Sequence, residues 1–174
     1  MRRRVFVVTI LLHALFLTII YIFQGMIFPH LRLYGYTPLL LPIVSTGAAV
    51  YEGRDTGGVV GLFAGILCDV SFNEPVGVFT VLLTVMGLIA GALADTVLTR
   101  GFASYFVCCA AVLAVSAFAQ MFPLLFFSHI SPPPLVDAAI RQTVYSLLFA
   151  FPLWIFVRAL GVRAQRILPS RKRL

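Results

Sequence analysis

Charge is what this chain is short of: 11% of its 174 residues are Asp, Glu, Lys or Arg, and six are acidic. Against that stand 61% hydrophobic residues and a mean hydropathy of +1.03. No soluble domain of this size could hide so much apolar surface, so a water-soluble enzyme is excluded and an integral membrane protein is expected. Cysteine is scarce as well. Cys68, Cys108 and Cys109 are odd in number, lie in apolar runs and lack the spacing of a metal site, which leaves buried thiols and no disulfide framework. His13, His30 and His129 fall in three separate regions, so no three-histidine centre is expected, and neither a metal nor a cofactor is implied. Hydrolytic and nucleotide signatures are absent: no Gly-x-Ser-x-Gly, no His-Glu-x-x-His, no paired glutamates with a downstream arginine, no phosphate-binding glycine loop. An enzyme is the least supported class. The net charge of +7 would elsewhere hint at nucleic acid. Here the basic residues gather at the termini and in short loops, where membrane lipid headgroups and topology account for them.

What the sequence does have is a stripe. In GGVVGLFAGILCD, residues 57 to 69, Gly57, Gly61, Gly65 and Asp69 recur every fourth position inside an apolar run and share one helical face. Small residues at that spacing let another backbone approach closely, which is how helices pack in lipid. The pattern has an echo: GLFAGILCD (61 to 69) and GLIAGALAD (87 to 95) agree at Gly, Leu, Ala, Gly, Leu and Asp, a repeat at an offset of 26 residues that adds Gly87 and Gly91. One internal interface needs only one close-packed face, so the second is expected to be available to a partner's helix.

Hydropathy divides the chain into six helical spans, approximately 5–27, 39–51, 56–70, 78–98, 102–127 and 136–160, in one membrane domain with a basic tail over 161–174. The first run is longer than a signal-peptide core and has no small-residue cleavage site behind it. His13 and Gln24, about three turns apart, face the same way and suit either a proton or ligand site or an interhelical hydrogen bond. Segments 39–51, interrupted by Pro42, and 56–70 are short against a hydrocarbon core of about 30 Å, so they are read either as short spans under a thinned bilayer or as a re-entrant hairpin shielded by other helices. The fifth span is rich in small residues, among them Ala103, Ser104, Ala111, Ser116 and Ala117, expected on a packing surface. Pro152 is expected to kink the sixth.

With the N-terminus in the cytoplasm, Arg2, Arg3, Arg4, Arg54, Arg100, Arg158, Arg163, Arg166, Arg171, Lys172 and Arg173 fall inside, eleven of the thirteen basic residues. Only Arg32 and Arg141 fall outside, so the positive-inside rule selects both termini cytoplasmic. In that frame the two copies of the repeat run in opposite directions and their aspartates are expected to differ. Asp95 lies near the headgroups and Arg100. Asp69 lies in the outer half of the bilayer, where a carboxylate costs several kcal/mol unless paired or reached by water. Arg141 is its expected intramembrane partner, with Asp137 and Glu74 competing for that arginine; a helix-end cap or a partner contact are the other readings.

The proline-containing segment at 38 to 51, GLFAGILCD at 61 to 69, a polar turn, and EPVGVFTVLLTVMGLIAG at 74 to 91 resemble the rod shape-determining MreD family. The resemblance covers the middle third of the chain. It implies a non-enzymatic scaffold of bacterial cell-wall elongation in the inner membrane, bound to MreC and associated with MreB, RodA and the elongation-specific penicillin-binding transpeptidase. It also implies a six-helix fold similar to the substrate-binding S-components of energy-coupling-factor vitamin transporters, which supplies the alternative function, a small-molecule-binding subunit of a transporter.

Overall fold

The structure, a computed structural model, describes residues 2–27, 38–72, 77–96, 101–127 and 132–166. Those residues form six helices: α1 (Arg2–Ile27), α2 (Leu40–Glu52), α3 (Arg54–Phe72), α4 (Val78–Thr96), α5 (Phe102–Phe127) and α6 (Pro132–Arg166). Four of them, α1, α4, α5 and α6, are long and apolar enough to cross a membrane. The chain is thus a multi-pass, all-helical membrane protein.

Five helices close a ring around the sixth. α1 packs on α3, α3 on α4, α4 on α5, α5 on α6 and α6 on α1, while α2 touches every one of them. Central placement explains both the composition and the length of α2. Its residues from Leu40 to Val50 are all buried. At 1.5 Å per residue it is about 20 Å long, yet no irregular backbone at its ends need face lipid, because protein encloses it. Pro42 stands in the first turn, where no intrahelical amide bond is lost. The hydroxyls of Ser45 and Thr46 donate back to the Pro42 carbonyl at 3.0 and 2.7 Å, so two polar side chains are satisfied inside the core. The backbone N–H of Leu39, just ahead of the helix, donates to Ser146 Oγ of α6 at 2.9 Å.

The two short segments therefore have different fates. α3 begins at Arg54 and runs 19 residues, longer than the sequence reading, about 28 Å. It belongs to the ring. Its stripe faces inward while Val59, Leu62, Phe63, Ile66 and Val70 are exposed on the opposite face, where lipid would lie. α6 includes Pro152 and runs as far as Arg166, so residues 161–166 at the start of the basic tail are helical. On α5 the small residues divide, with Ser104, Ser116 and Ala117 buried but Ala103 and Ala111 exposed. Residue size alone does not fix which side of a helix packs.

Candidate functional site

α3 and α4 form the most extensive helix pair in the molecule, and the glycine stripes account for it. A methyl group on Gly57 would stand 2.6 Å from Ala49 Cβ of α2 and 2.7 Å from the carbonyl oxygen of Gly87. One on Gly61 would strike the carbonyl of Leu83, and one on Gly65 would come within 2.6 Å of the Phe79 carbonyl oxygen. From the other side, Gly87 meets the carbonyl of Gly57, and Gly91 meets the backbone of Gly53 and Arg54. Backbone thus lies directly on backbone along the whole antiparallel pair, a separation that only hydrogen side chains permit.

These contacts obey a local two-fold relation. Adding the 26-residue offset of the repeat to Gly57 gives Leu83, and subtracting it from Gly87 gives Gly61, so the Gly57–Gly87 contact maps onto the Gly61–Leu83 contact. The repeat packs against its own inverted copy. Both stripes are spent on this one internal interface, which corrects the expectation that one is left for a partner's helix.

The same relation sets the two aspartates. Asp69, 7% exposed, closes the N-terminus of α4: its Oδ2 accepts from Gly77 N–H at 3.0 Å, Thr80 N–H at 3.1 Å and the Thr80 hydroxyl at 2.5 Å, and its Oδ1 from Phe79 N–H at 2.9 Å. Asp95 sits equivalently at the N-terminus of α3, with Oδ2 accepting from Arg54 N–H at 3.2 Å. Each copy of the repeat carries at its end the carboxylate that caps the helix made by the other. Orphan amides and the partial positive charge of a helix N-terminus favour an anion there, and amide bonds to a carboxylate are of the stronger, charge-assisted kind. The glycines that begin the two helices are the two described glycines with positive φ, Gly53 at 93° and Gly77 at 108°. Each turns the chain sharply enough to aim a first-turn amide at the facing carboxylate.

The expected Asp69–Arg141 ion pair is not formed. Asp69 is saturated by amides and a hydroxyl, and Arg141 instead pairs with Asp137 one turn away at 2.8 Å, with both side chains more than half exposed. The expected inequivalence of Asp69 and Asp95 is also corrected in kind: they do the same job at opposite ends, one buried and one exposed. Arg100, Glu74, Arg32, His30 and His129 lie outside the described residues.

His13 is buried, with Nδ1 at 2.9 Å from the Thr9 carbonyl of its own helix, and Gln24 does not bond to it. The cysteines are buried and free. Among the described residues no three His, Cys, Asp or Glu side chains gather as a metal site would require. A crevice between α1 and α3 is lined by apolar side chains, Ile10, Ala14 and Leu17 on one wall and Val59, Leu62 and Phe63 on the other. It suits an acyl chain or an apolar helix face better than a polar ligand.

Sequence reasoning missed Gly77, Phe79 and Thr80 as partners of Asp69. The available signal was a Gly followed three residues later by Thr at a helix start, eight to eleven residues beyond a carboxylate. A family model described as rod shape-determining protein MreD matches residues 3–163. No curated protein matches the chain, and no solved structure does.

Proposed function

Since the chain belongs to the MreD family of rod shape-determining proteins, we propose that it serves as a non-enzymatic membrane scaffold of bacterial cell-wall elongation. It would hold MreC in the bilayer and, through MreC, act with MreB, RodA and the elongation-specific transpeptidase. The family match over 161 of 174 residues carries this reading. The chemistry of the chain supports it. Its buried carboxylate Asp69 is engaged in closing a helix, and its described surface is dominated by exposed Val, Leu, Ile and Phe on α1, α3, α4, α5 and α6. Because the glycine stripes are consumed internally, partner helices would meet those lipid-facing side chains, for instance along the α1–α3 crevice. The positive-inside count supports an inner-membrane orientation with both termini cytoplasmic. A likeness to the vitamin-transporter S-components belongs to this reading as a matter of fold and is supported by the six-helix count.

The test is depletion in a rod-shaped host together with purification in mild detergent. Rounded, widening cells and co-purified MreC are expected. Rod-shaped growth after complete depletion, with no MreC in the purified complex, would defeat the scaffold reading.

A further inference from the structure

Where α2, α5 and α6 meet at the end of the bundle that carries Gly53, an aromatic corner is built around the single tryptophan of the chain. Trp154 Nε1–H donates to the Tyr51 hydroxyl at 2.6 Å, which fixes the indole. Phe102 meets that indole edge-on at 5.1 Å between ring centres, and Phe151 lies against both rings. One turn further along α6, the Arg158 guanidinium carbon stands 5.3 Å from the centre of the Trp154 ring. Arg158 is exposed and pairs with no carboxylate among the described residues, although Glu52, Asp55 and Asp95 stand at the same end of the bundle. Toward the bilayer centre, Phe102, Phe106, Phe151 and Ile155 form an apolar shelf, each between 37% and 58% exposed, with Phe102 in ring contact with both Phe106 and Phe151.

A cation held over an aromatic face and left without a counter-ion keeps its N–H donors for a ligand. The span of α6 ends at Leu160, so this arginine stands at the level of the headgroups, with apolar shelf on the bilayer side. α5 starts at Phe102, so the positive end of that helix faces the same layer. We propose that this corner binds an anionic phospholipid, its headgroup phosphate on Arg158 and its acyl chains along the Phe102–Phe151 shelf. A soluble phosphate would use the arginine but not the shelf. A lipid uses both, and a net negative headgroup is selected because the ammonium of a zwitterionic one cancels part of the attraction.

Trp154 makes the site directly observable. The full chain is reconstituted into phosphatidylcholine vesicles doped with either phosphatidylglycerol or phosphatidylcholine carrying brominated chains, and quenching of its one tryptophan is measured. Brominated phosphatidylglycerol should compete for the site about fivefold better than brominated phosphatidylcholine, the worth of one basic residue near an anionic surface. Arg158→Gln should erase that preference, while Arg54→Gln, at the same end of the bundle but on α3, which packs on neither α5 nor α6, should keep it. Equal quenching by the two lipids in the wild-type protein, or a preference that survives Arg158→Gln, would overturn the proposal. So would loss of the preference on adding millimolar inorganic phosphate at constant ionic strength, which would identify a soluble anion as the ligand. Should Arg158→Gln fail to fold, the wild-type comparison and the phosphate arm decide by themselves.

Discussion

A carboxylate in the membrane is tolerated when donors replace water, and Asp69 has four of them within 3.1 Å. Three are backbone amides at the start of α4, so the charge and the helix end solve each other's problem. Asp69→Asn keeps the shape but puts an amide donor among donors and removes the charge, a loss of about 2 kcal/mol. Less folded protein in the membrane is expected, measured by quantitative blotting, and any loss of shape control should follow that drop in amount. Asp95→Asn, at the exposed counterpart, should cost about 1 kcal/mol or less. A normal level of Asp69→Asn protein with lost shape control would instead assign Asp69 to a partner.

Between elements, the decisive feature is backbone packed on backbone along α3 and α4. Gly65→Leu places its Cβ against the Phe79 carbonyl and the Thr80 backbone, neither of which can yield as a flexible side chain could. Overpacking of this sort costs about 1 to 3 kcal/mol or more, and the variant should accumulate poorly. Leu62→Ile, on the exposed face of the same helix, should accumulate at the wild-type level. Gly25→Ala is the matching control on α1, since nothing lies within 4 Å of its added methyl. A Gly65→Leu protein present and working normally would mean that the two helices are not in close contact.

At the scale of the whole molecule, a ring of five helices shields a sixth that is too short to cross alone, and both termini are expected on one side. Single cysteines at Ser131 and Ser170, in a background without native cysteines, test that arrangement with an impermeant thiol reagent on intact spheroplasts. Label on Ser131 and none on Ser170 is expected; equal labelling of both would sink it. Hydropathy suffices to deliver the membrane class and the six helices seen among the described residues, because a residue's preference for lipid or water is a property of that residue. The glycine stripe is legible for a similar reason: spacing by four on a helix is a local fact. What the stripes would touch is not local. That they pack on one another, that α2 stands at the centre, and that Asp69 finds Gly77, Phe79 and Thr80 and not Arg141 were decided by tertiary structure alone. Every residue but proline carries a backbone N–H, so the partners of Asp69 have no distinguishing side chain to read, and only the meeting of two helices in one register selects which amides reach it.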